Sequence, residues 1–460
     1  MELKILPPFL KGSDKNNDFG IRDKSLKYGL PPGKPQIISS AHGKIKTLLL
    51  VFPKDGKTKN YNYWEIFKEL VQKMDTVEKI IVIYHENEFN QDGIVPRIPY
   101  NNNRIYPVEI TKPSHEISHW IQDLFYPVIY TKPNHPPITC LVSSSTYLYS
   151  STVALNSILK KYFGSNSPSE DHLILRDSPL PFQGGNMLVG SGFILMGADS
   201  QYQNGLDYTT SYETWFGITP IFLKSRIPID NLPKEFIFNN VTNKIPPNSK
   251  QSMQPLFHID MFISLAGFNK KGEYILVVGE PTLGVDLPMD INNSEIKRFY
   301  HWFSQISSSI NSIIDQLLNT PNIKFKIVRN PLVLIYEDNK NRERNWMWAT
   351  YNNCLVEIIE NKYKQTTSKK VWLPSYGGSN ADYSEYTMPY SERSTFAKQM
   401  DIPTSDVGYG DWSNLSKYDH QNQKIWTDLG FEVCLLQNNY IPLIHGRGSL
   451  NCITNCIKRG

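Results

Sequence analysis

The sequence predicts an α/β protein, and three observations lead there. Short apolar runs of strand length recur along the chain. Amphipathic stretches at helical spacing separate them. No low-complexity linker divides them. With 40% apolar and 20% charged residues, the chain can bury a core and is not expected to be disordered. Its 460 residues exceed the usual domain size, so length alone favours two or three domains.

In chain order, residues 11 to 35 are rich in Lys, Asp, Asn, Gly and Pro. Residues 1–45 therefore read as an amino-terminal tail or surface strap, and residues 46–460 as the folded part. Thr47-Leu48-Leu49-Leu50-Val51-Phe52 is a buried strand ended by Pro53, Tyr63 to Met74 an amphipathic helix, and Lys79 to Tyr84 a second buried strand. Ser151 to Phe163 reads as helical, and Ile174 to Gly197 as two or three short strands around Gly184-Gly185. Phe257 to Leu265 and Tyr274 to Val278 form a hairpin turned by Phe268 to Gly272. The longest helix runs from Ile296 to Leu318, and two strands follow, Phe325 to Val328 and Leu332 to Tyr336. Asn353 to Ile359 pairs with Val371 to Leu373. A helix stops at Gly430, as glycine endings favour, and Phe431 to Leu436 and Cys452 to Ile457 close the chain. Asn101 to Asn103 and Pro246 to Ser249 look like surface loops. About five strand-rich units result, with no strict sequence repeat, so one closed architecture and two domains both remain open.

Charge excludes some functions. The 48 basic and 44 acidic residues are evenly spread for a net +4, so neither a nucleic-acid nor a membrane surface is expected. No run of 18 apolar residues exists, and the amino terminus lacks the apolar core of a signal peptide. Five scattered cysteines do not make a disulfide framework, and the odd count leaves a free thiol. A cytoplasmic protein is the expectation.

Four segments carry ionisable groups in settings that suggest chemistry. Cys452 enters a strand from Arg447-Gly448-Ser449, a place where sulfur can be presented at a strand end. The alternative is a buried structural cysteine, and Cys456 on the same face allows a redox pair. In Phe257-His258-Ile259-Asp260-Met261-Phe262 the imidazole and carboxylate would share one face of a strand, costly to bury without partners. A structural pair and a metal site compete with catalysis there, although no third ligand at a recognisable spacing lies nearby. Asp123 follows Trp120-Ile121-Gln122, and Asp177 is a rival carboxylate five residues before Gln183-Gly184-Gly185-Asn186. That double glycine marks a tight turn or a close backbone approach.

Taken in order, these segments resemble the guanidino-group-modifying superfamily with the pentein, or α/β-propeller, fold, and most closely protein-arginine deiminases and agmatine deiminases. Trp120-Ile121-Gln122-Asp123 is similar to that family's Trp-x-x-Asp segment, and Phe182-Gln183-Gly184-Gly185-Asn186 to its Gly-Gly-Asn turn. His258-Ile259-Asp260 is similar to its His-x-Asp pair, and Gly448-Ser449-Leu450-Asn451-Cys452-Ile453-Thr454 to its nucleophile segment. Val371-Trp372-Leu373-Pro374-Ser375-Tyr376-Gly377 looks like a family strand ending in a turn.

The resemblance implies about five pseudo-symmetric modules in a single catalytic domain over 46–460. It makes Cys452 the nucleophile, His258 the acid and base, and Asp123 and Asp260 the guanidinium ligands. Gln183, Asp177, Asn186 and Asn451 fall around them. The implied reaction is hydrolysis of a guanidino group to a ureido group and ammonia. An arginine-containing peptide or protein is the first choice of substrate, with a small guanidino compound close behind. No cofactor or metal is needed. Calcium, which vertebrate protein-arginine deiminases require, finds no acidic cluster with loop spacing here, though it is left open.

Two residues depart from the pattern. Asn451 stands where a His usually precedes the nucleophile, and Gln183 where many members carry a Glu that charges the catalytic His; Asp177 is a candidate to supply that charge. An amidinotransferase with the same Cys-His-Asp set, a non-catalytic pentein binding protein and a cysteine protease are the competing functions.

Overall fold

The structure is a computed structural model. It describes residues 33–52, 63–85, 104–110, 119–144, 173–200, 202–203, 206–227, 235–238, 241–246, 254–284, 294–339, 343–361, 366–377, 415–440, 443–444 and 448–460. The first strands are β1 (Lys34–Ile37), β2 (Ile45–Val51), β3 (Lys79–His85), β4 (Ile105–Ile110), β5 (Phe125–Thr131), β6 (Ile138–Ser143) and β7 (Leu173–Asp177). Next come β8 (Met187–Val189), β9 (Ile194–Gly197), β10 (Tyr202–Gln203), β11 (Leu206–Asp207), β12 (Ile221–Leu223), β13 (Glu235–Phe238) and β14 (Val241–Lys244). The last are β15 (Ile263–Phe268), β16 (Tyr274–Leu283), β17 (Phe325–Asn339), β18 (Glu343–Thr350), β19 (Leu355–Asn361), β20 (Thr366–Ser375), β21 (Glu432–Asn439) and β22 (Thr454–Arg459). The helices are α1 (Tyr63–Lys73), α2 (Thr209–Phe216), α3 (Ser294–Leu318) and α4 (Leu415–Asp428). The fold is α/β.

Apart from the β10–β11 ribbon, the described strands form five sheets, and one arrangement recurs in all of them. A first strand pairs antiparallel with a second, and the second pairs parallel with a third. The triplets are β22-β2-β3, β5-β6-β7, β8-β9-β12, β15-β16-β17 and β19-β20-β21. Parallel neighbours need a crossover, and a helix usually supplies it. Here α1 links β2 to β3, α2 lies between β9 and β12, α3 links β16 to β17, and α4 lies between β20 and β21. The expected helix over Ser151–Phe163 falls between β6 and β7 but lies outside the described residues, as do the Asn101–Asn103 loop and residues 247–249. The carboxyl-terminal β22 pairs with β2, so the last described strand joins the sheet of β2, β3 and β4.

Packing follows from the periodicity. α1 buries Ile66, Phe67, Leu70 and Val71, and α3 buries Ile296, Phe299, Trp302, Ile306, Ile310, Ile313 and Leu317. The α3 stripe joins the largest apolar cluster, with Tyr274, Leu276, Val278, Leu334, Trp346 and Trp348 from its sheet. No helix among the described residues is long and apolar enough to cross a membrane.

Four sequence expectations need correction. Residues 34–45, placed with the tail, are built into the fold: β1 pairs with β5, Ile37, Ile38 and Ala41 are buried, and Ile45 opens β2. The two strands expected around Asn330-Pro331 are one, β17. Pairing with β18 begins only at Leu332, so proline sits where the strand has a single neighbour and its missing N–H disrupts little. Phe257 to Phe262 is not strand. His258 is extended (φ −129°, ψ 155°), Ile259–Met261 is one 3₁₀ turn, and strand pairing starts at Ile263. Likewise Cys452 lies in the turn before β22, where the Thr454 N–H donates to the Asn451 carbonyl at 3.2 Å.

Candidate active site

The repeated sheet pattern has a consequence at its strand starts: the turn just before the first strand of each triplet supplies one part of a common cavity. Asp123 ends a 3₁₀ turn before β5, Gly185 and Asn186 lie in another before β8, and Asp260 in a third before β15. Asn353 precedes β19, and Cys452 precedes β22. Apolar anchors hold these turns, since Ile121, Ile259 and Ile453 are fully buried on the side away from the polar groups. Backbone bonds tie them together. The Gln122 N–H donates to the Cys452 carbonyl (3.2 Å), and the Gly185 N–H donates to Asp123 Oδ1 (3.2 Å).

The side chains converge closely. One donor atom each from His258, Asp260 and Cys452 lies within 4.8 Å of the others. Cys452 Sγ is 3.9 Å from Asp260 Oδ2, and His258 Nδ1 is 3.9 Å from Asp123 Oδ1. His258 Nε2 lies 2.6 Å from Gln183 Oε1, a carbonyl oxygen that only accepts, so Nε2 carries the proton and Nδ1 offers its lone pair to the cavity. Asn451 Nδ2 donates to Asp260 Oδ2 at 2.9 Å, filling one acceptor and leaving Asp260 Oδ1 without a hydrogen bond; His258 Nδ1 has none either. Two buried, unbonded polar atoms facing one space are costly unless a ligand completes them.

Gly185 keeps that space open. A Cβ on it would lie 2.6 Å from His258 Nδ1 and 3.0 Å from Asp260 Oδ2. Gly185→Ala is therefore expected to lower kcat/KM at least about 100-fold while shifting Tm by only a few degrees, because a methyl blocks the ligand more than it disturbs the turn. Near-wild-type turnover in that variant would show that the space is not used.

Burial sets the electrostatics. It raises the Asp123 carboxyl to about 7, against the opposing Gly185 N–H bond. It raises the Asp260 carboxyl to about 8, helped by the nearby Asp123 charge and opposed by bonds from Asn451, Asn353 and Cys452. The His258 imidazole is pushed down to about 3 by burial. The Cys452 thiol goes well above its ordinary value, through burial first and the two carboxylates second. Near neutral pH the unliganded site thus holds a neutral imidazole, a thiol, a largely protonated Asp260 and an Asp123 near the middle of its titration. A bound cation reverses this, since it favours both carboxylates and the thiolate.

The residues singled out from sequence divide into two sets. Cys452, His258, Asp123, Asp260, Gln183 and Asn451 are together. Asn186 stands just behind them: its Oδ1 accepts from the Ile259 N–H (3.2 Å) and Gln254 Nε2 (3.0 Å), fixing the residue between His258 and Asp260. Asp177 is elsewhere. It is exposed at the end of β7 and accepts from Ser143 Oγ at 3.0 Å, so the charge it was expected to lend His258 is not placed there. Gln183 alone fills that position. Among the described residues all five cysteines are free. Cys456 contacts Arg459 Nη2 at 3.8 Å, which leaves Cys452 to the cavity.

Sequence reasoning missed Asn353. Its Nδ2 donates to Cys452 Sγ at 3.2 Å, and its Oδ1 accepts the backbone N–H of Asn451 (2.8 Å) and of Cys452 (3.3 Å). A single amide thereby holds the turn that carries Cys452 and donates to its sulfur. It also missed Asp419 on α4. That buried carboxylate accepts from Tyr351 Oη (2.7 Å), Ser375 Oγ (2.8 Å), Tyr376 N (3.1 Å) and Gly377 N (2.8 Å). Tyr376 Oη in turn meets Ser449 Oγ at 2.9 Å, so α4 braces the turn that carries Cys452.

His258, Asp260 and Cys452 also form a three-donor set of the kind a divalent metal uses. The third donor, which spacing along the chain did not reveal, comes from 192 residues away.

No protein-family model matches the sequence. No curated protein matches it either. Among solved structures the chain is similar to a dimethylarginine dimethylaminohydrolase captured as an adduct with S-methyl-L-thiocitrulline. That match has 9% identity over 89% of this chain and 99% of the other, with a TM-score of 0.35. A DDAH from Pseudomonas aeruginosa complexed with citrulline gives 9% identity, 90% and 99% coverage and a TM-score of 0.35. SxtG, an amidinotransferase from Microseira wollei in saxitoxin biosynthesis, gives 9% identity, 92% and 97% coverage and a TM-score of 0.37. Likenesses this distant establish nothing about the chemistry of this chain, which has to be read from its own residues.

Proposed function

We propose that this protein is a pentein-type enzyme that hydrolyses a guanidino group to a ureido group and ammonia through a covalent intermediate on Cys452. The observation that carries this reading is the convergence, in one buried cluster, of two carboxyls, an imidazole lone pair and a thiol. The recurring sheet triplets and the motif order along the sequence support the same reading.

A guanidinium is a planar cation with N–H groups in a fork, which suits carboxylates on two sides. Asp260 Oδ1 and the Asp123 carboxylate bind those N–H groups and hold the central carbon near Cys452 Sγ. The cation draws both acids into their ionised form and favours thiolate, which Asn353 Nδ2 also stabilises. The thiol proton passes to His258 Nδ1 as sulfur bonds to carbon. His258 then gives the proton to a departing amino group, which leaves as ammonia and yields a thiouronium. Water loses a proton to His258 as its oxygen bonds to carbon, the C–S bond breaks with that proton passed to sulfur, and the remaining hydroxyl proton leaves to solvent, where ammonia takes it up as ammonium, giving the ureido carbonyl. Peptidyl-arginine is the favoured substrate and a small guanidino compound the next. Transfer of the amidino group to an amine uses the same residues and differs only in what accepts it.

The decisive experiment incubates the protein with arginine peptides, free arginine and agmatine and measures ureido product and ammonia for each, with and without an amine acceptor. Turnover of none of them by folded protein would end this reading, and amidino transfer in preference to hydrolysis would change the reaction class. A chelator arm belongs in the same assay. Activity unchanged by EDTA is expected from a sulfur nucleophile; loss of activity restored by metal would assign His258, Asp260 and Cys452 to a metal centre instead.

Gln183 provides a finer check. A carboxylate in place of its carbonyl, 2.6 Å from His258 Nε2, stabilises imidazolium. Gln183→Glu is expected to raise the His258 pKa and displace the pH–rate profile to higher pH. An unmoved profile would place Gln183 outside the proton path.

A further inference from the structure

A second cavity, of about 340 Å³, adjoins the proposed site, and what lines it bears on what the guanidino group is attached to. Its walls are Leu256, Phe257, Met261, Trp346, Met347 and Trp348, with Ile245 and Ile444 at the margin. Three features join it to the site. The Phe257 ring stacks on the His258 imidazole with centroids 4.0 Å apart. Met261 follows Asp260 directly and accepts a bond from Thr350 Oγ1, at the end of β18. Three residues beyond Thr350, the chain reaches Asn353.

Sheet topology explains why a cavity exists here. β14 and β18 pair only from Thr242↔Glu343 to Lys244↔Asn345. Among the described residues β18 runs on to Thr350 against β17 alone, and Trp346 to Trp348 on that stretch line the cavity. The walls are mixed: Lys244 and Asn345 line the cavity beside the apolar residues. The polar groups there are partly engaged, since the Trp346 indole N–H is donated to Asn243 Oδ1 (3.1 Å) and the Lys244 ammonium is paired with Glu343 at 2.6 Å. The aromatic and thioether part of this lining suits a ring or a branched alkyl group, and the volume is large enough to hold one.

We infer that this cavity is a substrate subsite for an aromatic or branched apolar group carried on the guanidino compound. The inference rests on the proposed function for the neighbouring site. A guanidinium between Asp123 and Asp260 leaves the rest of its molecule to pass Phe257 and Met261, and the apolar end then fills the space beside β18. Such a group comes either from a side chain next to arginine in a peptide or from an alkyl or aryl arm of a small guanidine. The shared chemistry is the apolar end.

The test measures binding calorimetrically on Cys452→Ala protein, so that turnover is not required, with kcat/KM on wild type alongside. The small-molecule arm compares 4-phenylbutylguanidine with butylguanidine. The peptide arm compares arginine flanked by phenylalanine with arginine flanked by serine. Burial of the apolar group is expected to tighten binding about 10- to 100-fold in whichever arm reports the true source. Met347→Trp, which fills the cavity, and Ile245→Glu, which charges its half-buried margin, should each abolish that advantage and leave butylguanidine binding unchanged. Equal binding with and without the apolar group in both arms overturns the subsite alone. Failure of every guanidine to bind overturns the subsite and the proposed function together.

Discussion

Cys452→Ala protein is expected to release neither ureido product nor ammonia from any guanidino substrate, with kcat lowered by about four orders of magnitude or more. The sulfur is the only nucleophile in the cavity among the described residues, and removing it leaves carboxyls and an imidazole that bind without bonding to carbon. Cys140→Ala and Cys434→Ala should retain most activity. Cys140 lies in the core of β6 and Cys434 in β21, and neither contacts the catalytic turns. Mass spectrometry of wild-type protein quenched during turnover should show an adduct on Cys452 that is missing from the variant. Residual turnover at a tenth of wild type would remove the covalent mechanism, because among the described residues Cys452 is the thiol that clusters with His258 and Asp260. The variant is also informative about stability. A buried thiol far above its ordinary pKa behaves as a small apolar group, so truncation costs little beyond a minor cavity, about 1 kcal/mol.

What could be read from sequence, and what could not, divides along physical lines. Strands such as Thr47–Phe52 and Lys79–Tyr84 were legible because a strand in parallel pairing is buried on both faces and reads as an unbroken apolar run. Helices α1 and α3 declared themselves by period. The break at Pro331 misled because proline is a strand terminator only where its N–H is needed on both sides. His258 and Asp260 were paired correctly as neighbours, but for an inexact reason. Strand alternation was the premise, whereas an extended residue followed by a 3₁₀ turn is what aims them at the cavity. Asp177 was credited with a role because it is close to Gln183 in sequence, yet the intervening Ser178-Pro179-Leu180 carries the chain away. Asn353 was invisible. It reads only as the first residue of the strand to Ile359, and its partners are 98 and 99 residues distant. Asp419 was hidden similarly, as one polar residue on a helix whose four donors come from two other segments. A rule that each triplet donates a residue from the turn before its first strand would have drawn attention to Asn353, but the triplets themselves are visible only in the pairing.

Asp260→Asn should separate catalysis from stability. On activity, the change leaves a buried guanidinium paired with one acid where two are needed. A loss of about 3–5 kcal/mol in transition-state stabilisation follows, near 100- to 1,000-fold or more in kcat/KM. On stability the sign is opposite. The Asp260 carboxyl is raised to about 8 in the folded protein, chiefly by burial, from its ordinary value of 3.8. A raised carboxyl contributes stability that is fully present below about pH 4 and lost as pH rises through the folded value, because the unfolded chain ionises first. His258 acts the other way but elsewhere. Its folded value is lowered to about 3, so its contribution is present above its ordinary value of 6.5 and lost as pH falls toward 3. Above neutrality only the acids matter. Asparagine can keep an acceptor toward Asn451 Nδ2 and has no charge to bury. Asp260→Asn should therefore unfold at a higher temperature than wild type at pH 8.5, by the equivalent of about 1–3 kcal/mol, with the advantage shrinking to nothing near pH 4. The same ionisation governs binding: wild-type kcat/KM should climb from about pH 6 to about pH 8 as Asp123 and Asp260 lose their protons to admit a cation. Thermal unfolding at the two pH values and a pH–rate profile check both halves. A variant less stable than wild type at pH 8.5 would show that Asp260 is ionised in the resting protein and held by partners, and the flat alkaline profile that then follows would confirm it.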